Sequence, residues 1–136
     1  SSWGAGGYGE VWVGPEAAWS WRHVHHATRY VSWLVNSFRG TEGVRGRALD
    51  QTIRELLLLQ SSDWNFIVKT GTSTKYAERR IRAHVHRLRH LGHLVETGKI
   101  EGDDVTWLED VCSRDNFFGA LQGEALRAPF DNHATN

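Results

Sequence analysis

The sequence predicts an all-α fold, an antiparallel bundle of about four helices preceded by a Gly/Trp-rich segment. Three observations carry that prediction. Apolar residues recur at helical spacing in three long segments, and each segment closes on a glycine. One of these segments, around Leu56, Leu57, Leu58 and Leu59, is apolar around its whole circumference, as the central helix of a bundle must be. No alternating strand pattern runs longer than Glu10, Val11, Trp12 and Val13, and the chain holds no internal repeat or low-complexity block.

Taken in order, residues 1–14 form the glycine-rich segment, with Trp3, Tyr8 and Trp12 set among Gly4, Gly6, Gly7 and Gly9. Glycine lets the backbone approach a partner closely, and the rings cannot all hide in so short a stretch. The bundle is expected over 15–118. Helix one opens at Pro15 and carries Ala17, Trp21, Val24, Thr28, Val31, Val35 and Phe38 as a stripe, with Trp19 and Trp33 on a second face. Gly40 stops it, and residues 40–46 read as a connection. Helix two runs from about Ala48 to Gly71. Thr72, Ser73 and Thr74 supply caps for helix three, whose stripe of Ala77, Ile81, Val85, Leu88, Leu91 and Val95 ends at Gly98. Asp103 or Asp104 caps a fourth, shorter helix with Val105, Trp107, Leu108 and Val111 on its apolar face. Phe117 and Phe118 pin the segment after this helix, and 119–136 reads as a partly disordered tail.

Composition narrows the function classes. At 136 residues the chain is long enough for one domain with a core. Its formal net charge of zero provides no global field to recruit nucleic acid or an anionic membrane, and no apolar run reaches the ~20 residues of a membrane span. Cys112 is the only cysteine, so no intrachain disulfide forms, and a reducing, cytoplasmic location is expected. The chain has no methionine and opens on Ser1-Ser2-Trp3-Gly4, which reads as a piece of something larger whose missing part is N-terminal.

The stretch from Arg54 to Ile67 turns from an apolar run into a polar-aromatic cluster without a breaker. On a helix, Leu56, Gln60, Asp63 and Ile67 share a face, as do Ile53, Leu57, Trp64 and Val68. One reading offers Gln60, Asp63 and Trp64 to a ligand in a cleft. The other makes Asp63 the cap of a helix restarting after Ser61 and Ser62, with Trp64 in the core. Among the eight histidines, His86, His90 and His93 fall at i, i+4, i+7 and His23 and His26 at i, i+3, spacings open to a metal ion. Arg79, Arg80, Arg82, Arg87 and Arg89 crowd the same helix and would repel a cation, so no metal or other cofactor is expected. The basic helix could also track phosphates, yet no nucleic-acid recognition motif accompanies it. No nucleophile with base and acid at motif spacing is present, so no catalytic residue is assigned to this chain.

The run Ser1-Ser2-Trp3-Gly4-x-Gly6-Gly7-Tyr8, then Val11-Trp12, Pro15-Glu16, Trp19-x-Trp21 and His23, followed by Arg54-Glu55-Leu56-Leu57-Leu58-Leu59-Gln60-Ser61-Ser62-Asp63-Trp64 and Tyr76-Ala77-x-x-Arg80, resembles the C-terminal helical domain of glycoside hydrolase family 57. Within that family it is most similar to the 1,4-α-glucan branching enzymes. Ala5 departs from the pattern, which has glutamate there. The resemblance implies an N-terminal (β/α) barrel that carries a glutamate nucleophile and an aspartate acid/base, neither of which has a counterpart here. It therefore implies a chain inactive by itself, closing over an α-1,4-glucan such as glycogen, amylose or a maltooligosaccharide. Trp3 and Trp12 are implied as glucan-lining residues, with Asp63, Trp64 and Gln60 facing the same cleft. The alternative expectation is a structural domain that braces the barrel.

Overall fold

A computed structural model describes residues 15–68, 74–115 and 122–130, with the side chains of 15–18, 64–68, 74–75 and 77 outside the description. Five helices occupy the described residues: α1 (Pro15–Phe38), α2 (Gly43–Val68), α3 (Thr74–Thr97), α4 (Asp103–Arg114) and α5 (Glu124–Arg127), the last running into a 3-10 turn at Ala128–Phe130. No strand occurs among the described residues, so the all-α expectation holds. Residues 1–14, with Trp3 and Trp12, and Phe117 and Phe118 lie outside them.

α2 is the axis. Its residues 48 to 56 are buried without interruption, polar and apolar alike, because α1 and α3 flank it while α4 and α5 cover the remainder. The apolar core joins Ala27, Val31, Leu34 and Val35 of α1 to Leu49, Ile53, Leu56 and Leu59 of α2 and to Ile81, Leu88, Leu91 and Val95 of α3. Leu108 and Val111 of α4 and Leu126 of α5 close it. Burying each such side chain stabilises the fold by about 1.5–3 kcal/mol relative to leaving it in water.

Contacts fix the register. Gln60 Nε2 on α2 reaches Thr28 Oγ1 on α1 at 3.4 Å, and Glu55 on α2 meets His84 on α3 at 2.8 Å. Arg82 lies over Trp19, and Tyr30 bonds Glu96, so α1 and α3 run parallel to each other and antiparallel to α2. The N-terminal end of α1, the C-terminal end of α2 and the N-terminal end of α3 therefore share one end of the bundle.

Several boundaries and faces differ from expectation. α2 begins at Gly43, ahead of Ala48, because a positive φ of 70° at Gly43 lets the chain turn straight into the helix. Gly46 then lies inside the helix, where a Cβ would stand 2.6 Å from the Thr41 carbonyl oxygen. Trp21 belongs to no core stripe: it is 39% exposed and stacks on His25, while Ser20 and Ala27 take the inward positions. Trp33 is 51% exposed, stacked on Tyr30. α4 is started by Gly102 at φ 55° without a side-chain cap bond, with Asp103 and Asp104 inside its first turn, where the helix dipole favours them. Gly98 ends α3 as expected, its N–H donating to the Leu94 carbonyl at 2.8 Å and its φ at 71°.

Candidate functional site

α2 continues without a break from Gly43 to Val68, so Asp63 caps no restarted helix. Asp63 is buried at 8% exposure and Ser62 beside it is also buried. Gln60 is exposed and turned toward Thr28, so the stripe that includes Leu56 and Asp63 does not take Gln60 inward. Trp64 continues the helix, with its side chain outside the described residues. The structure thus brings Asp63 to the shared end of the bundle, one turn beyond the Gln60 contact. Trp19 lies at the same end: the Arg82 guanidinium covers its ring at 4.7 Å, and the His23 ring meets its edge at a centroid distance of 4.7 Å.

From that end a groove of about 580 Å³ runs between α1 and α3, lined by His23, His26, Ala27, Tyr30, Val85, Leu88, Arg89, His93 and Glu96. Its far end is fixed by Tyr30, whose hydroxyl donates a hydrogen bond to Glu96 Oε2. Burial and this carboxylate push the Tyr30 hydroxyl well above the usual phenol range. Gly92 makes room for the ring, since a Cβ there would stand 2.8 Å from Tyr30 Cζ. Burial lowers the His23 imidazole, and the charges of Arg82, Arg89, His26 and Arg22 lower it further.

The histidines divide otherwise than their spacing indicates. His93 faces the groove with His23 and His26, whereas His90 packs edge-on against Trp107 of α4 at 4.3 Å. Among the described residues, none of these imidazoles joins a group of three metal-ligating side chains.

The group that does form is Glu55, His84 and Asp115, whose ligand atoms all lie within 4.8 Å of one another. Sequence reasoning left it unassigned. His84 Nδ1 sits 2.8 Å from Glu55 Oε1, and Gln51 Nε2 donates to Glu55 Oε2 at 3.3 Å and to the Asp115 carbonyl at 2.8 Å. Arg87 Nη1 donates to Asp115 Oδ2 at 3.0 Å. Burial, then the hydrogen bond and charge of Asp115, push the Glu55 carboxyl up to about 9. Burial pulls His84 down to about 4. For Asp115, burial acts upward, but the hydrogen bond from Glu55 and the charge of Arg87 outweigh it and hold the group below its ordinary range. The donor set has metal-ligand chemistry, yet Arg87 already occupies Asp115 and the charges of Arg80 and Arg87 act on His84. A proton on Glu55, donated to Asp115, satisfies the cluster without adding a dication beside guanidinium groups. The signal for His84 was its place between Ile81 and Leu88 on the buried stripe of α3.

A second buried polar cluster, at the opposite end of the bundle, centres on Arg127 of α5. Its Nε donates to Asp50 Oδ1 at 2.9 Å, and its terminal nitrogens donate to the carbonyls of Arg39, of Thr41 at 3.0 Å and of Gly46 at 3.1 Å. The Gly123 N–H donates to Asp50 Oδ2 at 3.0 Å. These bonds tie the α1–α2 connection to the C-terminal segment and border a hollow of about 440 Å³. No described helix is long and apolar enough to cross a membrane.

The sequence has relatives among known proteins. Residues 23–125 match the family described as 1,4-alpha-glucan branching enzyme, C-terminal. The chain is similar to a 1,4-alpha-glucan branching enzyme of Thermococcus kodakarensis, at 38% identity over 118 residues, which is 86% of this chain and 18% of the relative. It is also similar to a probable 1,4-alpha-glucan branching enzyme of Mycobacterium tuberculosis, at 31% identity over 133 residues, 93% of this chain and 25% of the relative. The chain thus spans a quarter or less of the length of these relatives. No solved structure matches.

Proposed function

The chain belongs to the family of 1,4-alpha-glucan branching enzyme C-terminal domains, and from that premise we propose that it is the acceptor-side domain of a larger α-glucan-branching protein of the glycoside hydrolase family 57 type. The observation that carries the reading is the family match, which extends from the first third of α1 to α5 and so includes the stretch from Arg54 to Trp64. Convergence of three helix ends around Asp63 and Trp19 supports it. The glycine-rich segment with Trp3 and Trp12 enters α1 at that end, and Trp64 follows Asp63 there.

In this reading the chemistry of bond cleavage belongs to a catalytic barrel outside this chain, and this chain alone is inactive. A retaining glycosidase forms a glycosyl-enzyme that either water or a sugar hydroxyl can intercept. Indole rings stack on the apolar C–H face of glucose, an interaction of about 1–3 kcal/mol per ring by analogy with base stacking. Trp3, Trp12 and Trp64, with Asp63 and Gln60 as polar partners, would hold an acceptor chain, exclude water and raise the local concentration of the accepting hydroxyl. Transfer then outcompetes hydrolysis. The setting proposed is cytoplasmic, with glycogen or a maltooligosaccharide as the glucan.

Tryptophan fluorescence of the chain titrated with maltoheptaose tests this reading, with Trp3→Ala as its control. A saturable shift that disappears in the variant is expected; a folded chain whose emission never changes overturns glucan holding by the domain itself. Exposed Trp21 and Trp33 favour a second reading, a brace whose aromatic face is covered by the barrel. Substituting them in the full-length parent would then lower its melting temperature while leaving glucan affinity unchanged.

A further inference from the structure

We infer that the groove between α1 and α3 is a binding site for a phosphate monoester on a sugar-sized body, held by the Arg89 guanidinium and the imidazoles of His23, His26 and His93. The inference stands apart from the glucan reading, because it rests on the shape and charge of the groove alone.

The groove's 580 Å³ is several times the volume of a tetrahedral oxyanion, and Ala27, Val85 and Leu88 give it an apolar floor on which the C–H face of a ring can lie. Around that floor stand hydrogen-bond donors. Arg89 forms no ion pair among the described residues, in contrast to Arg82, which donates twice to Glu78 at 2.9 and 3.2 Å. Arg89 lines the groove, and its charge acts on both His23 and Tyr30. The lining carboxylate, Glu96, already accepts the Tyr30 hydroxyl. A planar guanidinium with free donors is the side chain best suited to a phosphate.

Two other ligand classes fit less well. A neutral sugar seeks an open aromatic face, but Trp19 is covered by Arg82 and His23, and Tyr30 is stacked on Trp33 at 6.2 Å. A metal ion would need its ligands gathered, and the three imidazoles do not gather.

Occupancy is linked to protons. The titratable groups lining the groove are His23, His26 and Tyr30 from α1 and Arg89, His93 and Glu96 from α3, and the charges of Arg22 and Arg82 act on His23 from outside the lining. Within the groove the Arg89 guanidinium and the Glu96 carboxylate oppose each other. Burial and then the neighbouring positive charges hold the His23 proton off; as pH falls His23 gains that proton, and a bound dianion favours the charged form.

The test is a titration of the 136-residue chain with glucose 6-phosphate, followed by the ring-proton NMR signals of His23 and His93, with glucose and inorganic phosphate in parallel. Expected are saturable shifts, an affinity at least tenfold tighter at pH 6 than at pH 8, an upward move of the His23 titration midpoint on saturation, and at least a tenfold loss in Arg89→Gln. Inorganic phosphate binding as tightly as the ester assigns the site to the free ion, and weaker binding assigns it to the ester; either result supports the anion site. Absent shifts, equal shifts with glucose, or undiminished affinity in a folded Arg89→Gln variant overturn it. The pH comparison uses the unsubstituted chain, so the proposal remains testable even if that variant does not fold.

Discussion

Asp50 and Glu55 lie little more than one turn apart on α2, both buried, and their surroundings treat a carboxyl group in opposite ways. Asp50 meets the guanidinium of Arg127, itself engaged in four hydrogen bonds, so charge faces charge with nearly every donor satisfied. Glu55 meets a second carboxyl group, that of Asp115, and an imidazole too buried to carry charge at neutral pH. There a proton takes the place of the missing cation. Burial alone therefore does not decide whether a core carboxyl is ionised; the nearest group of complementary charge does.

The largest effect should come from the Arg127 side. Arg127→Met leaves Asp50 without its guanidinium and removes the bonds donated to three backbone carbonyls, and breaking one partner of a buried pair costs about 3–5 kcal/mol. Urea unfolding of the variant measures this. A loss under about 1 kcal/mol would mean that α5 is only loosely docked and that the contrast with Glu55 is false. Next in size is Gly46→Ala, whose added Cβ would stand 2.6 Å from the Thr41 carbonyl oxygen and 3.3 Å from Arg127 Nη2. Overpacking of that kind costs about 1–3 kcal/mol. Because both substitutions disturb one cluster, the double variant should lose less than the sum of the two, which a double-mutant cycle reads directly.

The bundle itself was legible in the sequence. Stripes at helical spacing and the stops at Gly40 and Gly98 follow from local physics, and a helix apolar all round has to be central. The polar clusters were not legible to the same degree. Arg127 stands in a polar stretch far along the chain from Asp50, and no spacing rule connects them. Glu55 was visible only as one letter of a motif, although His84 between Ile81 and Leu88 carried a signal, since a histidine on a buried stripe needs a partner. For His90 and His93, spacing along one helix was open to a shared ion, a reading already set against the arginines around them, and three residues of helix turn them toward different neighbours, Trp107 and α1. Trp3, Trp12 and the side chain of Trp64 lie outside the described residues.

On the Glu55 side the expected signature is a pH slope. The folded-state carboxyl is raised from 4.5 to about 9, so between those values the folded chain holds a proton that the unfolded chain releases. Stability from this proton is complete below pH 4.5 and is lost as pH rises through about 9. His84, lowered from 6.5 to about 4, works the other way, but only below pH 6.5. Above that, Glu55 stands alone in its cluster, and stability should fall by up to about 1.4 kcal/mol per pH unit between pH 7 and 9.

Glu55→Gln keeps the shape of the protonated acid, with an amide able to donate to Asp115 and a carbonyl able to accept from His84. At pH 6.5 it should cost about 1 kcal/mol, the worth of the bond from Gln51 Nε2 that an amide nitrogen in place of Oε2 cannot accept. At pH 9 it should be the more stable of the two proteins. Melting curves recorded across this range check both statements, and a variant whose slope matches that of the unsubstituted chain removes Glu55 as the source of the proton. A divalent ion gives the converse test. If the melting temperature at pH 8 rises by several degrees with Zn²⁺ or Mn²⁺, and this rise is absent in Glu55→Gln, the cluster is a metal centre, and Arg87 must leave Asp115 to make room. If the ions leave the curve unmoved while the pH slope is present, the proton is the resident cation, and Asp50 with Arg127 and Glu55 with its proton are two solutions to the same desolvation problem.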